Sequence, residues 1–274
     1  MKDILRAFRS DKDKVCTPND ASPTPLADPL TARDSLPILS SSTYIPPTEY
    51  TQLPAYTQPR VEDEGAKPLL TVVELFQSQG CSSCPPANDN VIQLAEDPNK
   101  LVLTYEVTYW DYLGWPDTFG SKSWDSRQRD YAAAFKSRSV YTPQVIVNGL
   151  SNGVGSRQSE LQNLVRDGEA SPHASTVTVT ILNGQVMISG PDDVRGIVQL
   201  VLYDPGTHNI VIARGENRGR NLPHRNIVRD LLVLGWWEGG NTEFPLPILE
   251  ENGLRAAILV QRGRGGPIVG ACKV

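Results

Sequence analysis

No long apolar run is present: nowhere in the 274 residues do the roughly 18 uninterrupted apolar positions of a membrane span occur. No membrane-spanning helix is expected. A basic excess is also missing, since 26 Lys and Arg face 31 Asp and Glu for a formal net charge of -5. Such a surface does not attract phosphate backbones as a whole, and nucleic acid is not an expected partner. Met1 to Ser10 holds Lys2, Arg6 and Arg9 but no secretory apolar core, and Asp11 and Asp13 follow, unlike an acid-poor transit peptide. The chain therefore reads as cytoplasmic. Four cysteines in this length are too few for a disulfide scaffold. What remains is a chain that is 39% apolar, long enough for one large or two small domains with a real core.

Prolines are unevenly placed: ten of the 22 fall within residues 1–68, among Ser, Thr, Asp and Tyr and without sustained apolar periodicity. Such a segment buries too little surface to offset its ordering entropy, so residues 1–67 are expected as a disordered tail. Pro46-Pro47 and Leu53-Pro54-Ala55-Tyr56 favour polyproline II locally. Order is expected from Leu69, where Leu69 to Phe76 forms a β-rich, mostly apolar run behind Pro68. After Cys81 and Cys84, Pro85-Pro86 opens a helix whose Val91, Ile92, Leu94 and Ala95 share a stripe, because proline in a first turn loses no intrahelical bond. Leu101 to Val107 reads as a second strand, followed by a loop with Tyr109, Trp110, Tyr112 and Trp115. Trp124, Tyr131 and Phe135 mark an amphipathic helix over Ser123 to Arg138. Val145 to Val147 is a third strand, entered through Thr142-Pro143. Leu161, Leu164 and Val165 then mark a helix that Gly168 is expected to stop.

From Ser175 the grammar changes. Thr176 to Leu182 alternates polar and apolar, Asn183-Gly184 is a hairpin turn, and Val186 and Ile188 alternate again. Further strands are expected at 196–204, 208–214, 226–236, 254–262 and 267–272, with Arg262 to Gly266 as a hairpin loop. The resulting expectation is α/β for residues 68–170, followed by an antiparallel, sandwich-like β domain over 171–274, with a hinge at Asp167 to Ser175.

The chemistry concentrates at Cys81-Ser82-Ser83-Cys84. A thiolate is the attacking species in disulfide exchange, and a helix N-terminus supplies partial positive charge and free N–H donors that lower a thiol pKa. Cys81 sits just before such a terminus, and Cys84, one turn on, can attack a mixed disulfide formed there. Metal binding is the competing use of this spacing. A structural zinc needs about four ligands, and Cys16, His173, His208, His224 and Cys272 are scattered through the sequence. Arg214, Arg218, Arg220, Arg225 and Arg229 form a charged segment suited to an anion, or to pairing with Glu216 and Asp230.

With a strand before the dithiol, a helix opening after it and Tyr141-Thr142-Pro143-Gln144 ahead of a later strand, the chain resembles the thioredoxin-like superfamily. More narrowly, five segments resemble the uncharacterised family DUF1223. They are Glu74-Leu75-Phe76, Cys81 to Ala87, Tyr109 to Trp115, Ser139 to Gln144 and Arg214-Gly215-Glu216-Asn217. The resemblance spans about residues 69 to 274. Two departures stand out: many bacterial members carry export signals, and Thr108 replaces a common acidic residue. The superfamily resemblance implies a thioredoxin-like domain at 68–170, with Cys81 as nucleophile, Cys84 as resolving thiol and Pro143 as a cis-proline. Thr142 would then offer its backbone to an extended substrate. It further suggests Glu74 as a buried carboxylate taking the resolving thiol's proton.

Trp110, Asp111, Tyr112 and Trp115 are candidates for a substrate-binding wall beside Cys81. The expected function is thiol–disulfide oxidoreductase or redox partner, acting on protein or small-molecule thiols and disulfides. No bound cofactor is expected, and glutathione or a thiol reductase would supply electrons. The alternative is a non-catalytic thioredoxin-like binding module or metal chaperone.

Overall fold

The computed structural model describes residues 70–171, 177–249 and 253–274. The expected Pro-rich tail, with Cys16, lies outside them. In chain order the elements are β1 (Thr71–Gln77), α1 (Cys84–Leu94), β2 (Lys100–Glu106), α2 (Lys122–Ala134), β3 (Gln144–Val147), β4 (Ser151–Gly153) and α3 (Gln158–Glu169). Then follow β5 (Thr178–Leu182), β6 (Gln185–Gly190), β7 (Gly196–Val211), β8 (Asn221–Trp237), β9 (Gly240–Pro245), β10 (Arg255–Gln261) and β11 (Ile268–Lys273).

Eight strands form one mixed sheet in the order β11-β10-β7-β8-β2-β1-β3-β4. β1 runs parallel to β2 and antiparallel to β3. Alternation along β1 decides what each face carries. Val72 and Phe76 join Leu103, Tyr105, Trp124 and Tyr131 on the face covered by α2. Val73 and Leu75 join Val91, Leu161 and Val165 on the face covered by α1 and α3. A central strand buried on both faces reads as a nearly continuous apolar run, which is why β1 was legible.

The strands of the second half extend this same sheet. β8 meets β2 in parallel at Thr104 and Ile227, and Asn226 Nδ2 donates to Val102 O at 2.9 Å. The two halves expected as separate domains thus share one sheet, and the described residues after position 61 form one compact unit. Of the expected hinge, Asp167 to Glu169 belongs to α3, while residues 172–176 lie outside the described residues. A smaller antiparallel sheet, β5-β6-β9, packs Val179, Val186 and Ile188 against Val198, Leu200, Ile258 and Val260 of the large one. This is the sandwich-like layer, and Asn183 and Gly184 turn its hairpin with φ of 50° and 74°.

Three local expectations change. The strands at 196–204 and 208–214 are one bent strand, β7. Asp204-Pro205-Gly206 forms a bulge, not a turn: the register shifts between Asp204 and Thr207, and Asp204 Oδ1 accepts from Gly206 N at 3.0 Å. Gly168 does not stop α3, which continues to Glu169; a Cβ there would lie 2.7 Å from Val147 Cγ1, so its smallness serves helix–strand contact. β4 and β9, both short and rich in small or polar residues, carried no apolar alternation to announce them.

Among the described residues no helix is long and apolar enough to cross a membrane.

Candidate functional site

The dithiol sits where β1 hands over to α1. Ser83 is the N-cap and Cys84 the first helical residue, with proline in the first turn. Cys81 N donates to Ser78 O at 3.1 Å and Cys84 N to Cys81 O at 3.3 Å, so the cysteines lie on a tight turn. Both carry free thiols and both are buried.

The two thiols differ in environment. Cys81 Sγ lies 3.2 Å from Ser83 Oγ and 3.6 Å from Thr142 O. A hydrogen bond from Cys84, joined by those of Ser83 and Thr142 and opposed by burial, holds the Cys81 thiol down at about 6. Burial pushes the Cys84 thiol up, and the neighbouring Cys81 adds to it. The two sulfurs therefore differ in acidity, with Cys81 the one that more readily carries the thiolate.

The loop ahead of β3 forms the second wall. The Thr142–Pro143 peptide bond is cis. Ser83 Oγ donates to Thr142 O at 3.3 Å, and Trp110 Nε1 donates to Thr142 Oγ1 at 2.7 Å. Buried Gln128 of α2 steadies this loop by donating to Tyr141 O at 2.8 Å. Of the aromatic stretch, Trp110 packs against the dithiol turn, where a Cβ on Gly80 would lie 3.1 Å from its own Cβ. Tyr112 stacks on Trp110 with centroids 6.3 Å apart and is 77% exposed. Asp111 and Trp115 are turned to support: Asp111 Oδ1 accepts from Asp117 N at 3.1 Å, and Trp115 Nε1 donates to Gln79 Oε1 at 2.9 Å.

The third wall comes from the second half of the chain, through the loop between β7 and β8. Fully buried Asn217 donates from Nδ2 to Gln79 O at 2.9 Å and to Cys81 O at 2.8 Å. Glu216 Oε2 accepts from Ser82 N at 3.2 Å, and Arg220 donates to Asn217 Oδ1 at 3.1 Å. The arginine segment thus pairs differently from the local scheme expected of it. Arg225 bridges to Glu96, and Arg229 reaches Asp204 at 2.9 Å while lying over the Phe119 ring. Replacing Asn217 with alanine strips a donor from two carbonyls of the dithiol turn. It is expected to cost about 1–3 kcal/mol in urea unfolding and to move the pH midpoint of Cys81 alkylation upward.

Glu74 is not brought to the cysteines. It lies on the α2 face of β1, opposite α1, where Arg127 Nε donates to its Oε1 at 2.8 Å and Tyr131 OH donates to its Oε2. Arg127 also reaches Gln261 at 3.3 Å and lies over the rings of Tyr105 and Tyr131. Period-two alternation explains the placement, since Val73 and Leu75 share the α1 face and Glu74 must point away from it. A carboxylate already spent on a buried guanidinium does not serve Cys84.

A different polar cluster, unforeseen from the sequence, lies on the α1 side. Gln77 Nε2 donates to Asn88 Oδ1 and to Glu106 Oε1, each at 2.9 Å, and His224 Nδ1 lies 2.9 Å from the same Glu106 oxygen. Asn88 Nδ2 donates to Pro223 O at 2.7 Å, tying α1 to β8. Asp117 caps the dithiol approach, accepting from Gln79 N at 2.7 Å. Burial, reinforced by the charge of Glu106, raises its carboxyl to about 8. The available signal was an acid inside the apolar run Leu101 to Val107; the histidine was hidden in an arginine-rich segment. Among the described residues no three His, Cys, Asp or Glu side chains cluster so as to hold a metal ion.

Among solved structures the chain is similar to protein AGR_C_4864 from Agrobacterium tumefaciens, with 28% identity and a TM-score of 0.64 over 76% of this chain and 96% of that one. It shares a fold, at 13% identity and a TM-score of 0.50, with HBP35 of Porphyromonas gingivalis, covering 77% of this chain and 76% of that one. No curated protein matches. The family profile described as "Protein of unknown function (DUF1223)" matches residues 72–261, and the chain belongs to that family.

Proposed function

We propose that the protein is a thiol–disulfide oxidoreductase on a thioredoxin-like frame, with Cys81 as nucleophile and Cys84 as resolving thiol. The observation that carries this reading is the placement of the pair, two free and buried thiols on one tight turn with Cys81 Sγ 3.6 Å from Thr142 O; the Cys81 thiol held down at about 6 and the Cys84 thiol pushed up by burial agree with it. A dithiol turn at the start of α1 and a cis-proline loop across from it support the same frame. Trp110 and Tyr112 form the apolar side of the approach, and Thr142 offers a backbone edge to an extended disulfide. Substrates are protein or small-molecule disulfides, with glutathione or a thiol reductase returning the electrons, which suits a reducing compartment such as the cytoplasm. The β7–β8 loop narrows the approach and selects among partners.

The test is a glutathione redox titration of the full chain, read by mass on the peptide holding both cysteines. A reversible two-electron transition near the cytosolic poise is expected, with a glutathione adduct trapped on Cys81 in Cys84→Ser. One observation favours a second reading: Cys81 is only 2% exposed. A binding module with a sealed pair would resist reduction to below roughly -300 mV, and the same titration separates the two.

A further inference from the structure

Cys84 and His224 line one cavity of about 110 Å³, together with Gln77, Ser78, Asn88, Asp89 and Arg220. His224 is 2% exposed, and its Nε2 has no hydrogen-bond partner. Its Nδ1 is already committed. The two N–H groups of the Gln77 amide go to Asn88 and Glu106, which leaves Glu106 Oε1 to accept the Nδ1 proton of the imidazole. In the neutral ring Nε2 is therefore an unpartnered, buried lone pair, and the residue that carries it lines the same polar cavity as a buried thiol. The space is large enough for several waters, and Asp89, Arg220 and Asn221 stand among the residues lining it.

We propose that His224, carried by the β7–β8 hairpin and oriented by Glu106, accepts the proton that Cys84 must lose to resolve a mixed disulfide. The inference rests on the oxidoreductase reading, and it makes the second half of the chain part of the reacting site. In the step, the Cys84 S–H bond breaks and its proton passes to Nε2 across the cavity that both residues line. The Cys84 sulfur then forms a bond to Cys81 Sγ as the bond from Cys81 to the substrate sulfur breaks, and that sulfur leaves as a thiolate. Overall the substrate disulfide gains two electrons and the cysteine pair loses two. The imidazolium afterwards returns its proton to the departing thiolate or to water.

The electrostatics suit this role. Burial disfavours the imidazolium, but the charge and hydrogen bond of Glu106, with Asp117 behind it, outweigh burial and raise His224 above its ordinary value. The groups around the ring are Glu106 from β2, Gln77 from β1, Asn88, Asp89 and Cys84 from α1, Asp117 and Phe119 from the loop before α2, and Arg220 beside the cavity. The raised proton affinity strengthens the ring as an acceptor once it is neutral.

The test uses the reduced full chain carrying Cys16→Ser and Cys272→Ser, and a chromogenic aromatic disulfide, Ellman's reagent. Release of the first chromophore reports attack by Cys81, and release of the second reports resolution by Cys84. The second phase should accelerate with pH as His224 loses its proton. In His224→Gln it should slow about 100-fold near neutrality, with the first phase unchanged. In His224→Ala, added imidazole should restore it, since the vacated ring volume opens on the cavity. A second phase unchanged in His224→Gln, both phases slowed alike, or no rescue by imidazole would overturn the proposal. If the wild-type chain shows no second phase at all, the oxidoreductase reading itself falls and takes this step with it.

Discussion

Arg127→Met is expected to destabilise the fold by about 3–5 kcal/mol, the usual result of removing one partner from a buried ion pair. Arg127 and Glu74 side chains are 9% and 0% exposed, and the guanidinium is the only cation among the described residues within ion-pair distance of that carboxylate. Its loss leaves Glu74 facing Tyr131, Tyr105 and Phe76 without a counter-charge. Urea unfolding measures the effect. The double variant Glu74→Gln/Arg127→Met should recover much of the loss, because no uncompensated charge is then buried. A loss below about 1 kcal/mol in the single variant would mean that water or a rearranged partner reaches the carboxylate, against the geometry described. The same logic separates Glu74 from the dithiol: Glu74→Gln should leave the pH midpoint of Cys81 alkylation where it is.

That midpoint is the second large expectation. Iodoacetamide should modify Cys81 with a half-maximal rate near pH 6. In Cys84→Ala the midpoint should move up toward the ordinary thiol range, because the Cys84 hydrogen bond is the largest of the influences lowering Cys81. The thiolate fraction at neutral pH should then fall roughly tenfold. A midpoint that stays near 6 would shift the credit to Ser83, Thr142 and the α1 terminus.

The same depression has a stability consequence. The folded Cys81 pKa lies below the unfolded value, so its contribution is fully present above the ordinary thiol range and is lost as pH falls from about 9 to about 6. Reduced protein should therefore gain stability with rising pH across that window, and Cys81→Ser should lose the slope. Cys84, with its pKa raised, is neutral in both states below the ordinary thiol range and adds nothing there.

Much of the architecture was legible because local pattern and tertiary demand agreed. Leu69 to Phe76 is apolar almost throughout, as a strand covered on both faces must be, and Asn183-Gly184 supplied the positive φ angles of its hairpin turn. The dithiol's place was legible because C-x-x-C followed by Pro85-Pro86 puts both cysteines at the start of a helix. Where local signals misled, a longer-range contact had overruled them. Strands expected separately at 196–204 and 208–214 are one, because the cross-strand pairing of β7 with β8 continues past Pro205-Gly206 and absorbs the extra residue as a bulge. Gly168 reads as a helix stop, yet the close approach of Val147 is what requires it.

The sequence by itself determined the apolar strands, the hairpin, the family and a cysteine pair at a helix start, since each of these is written within a few neighbouring residues. Tertiary structure decided which acid stands near which thiol. Glu74 was the nearer candidate along the chain, but alternation turns it to the α2 face and into the hands of Arg127. Glu106, His224 and Asn217, up to 143 residues from Cys81 in sequence, reach the dithiol side because β8 pairs with β2 and the β7–β8 loop folds back over α1. Side-chain direction on a strand and the register between distant strands are properties of the assembled sheet, and no local stretch of residues encodes them.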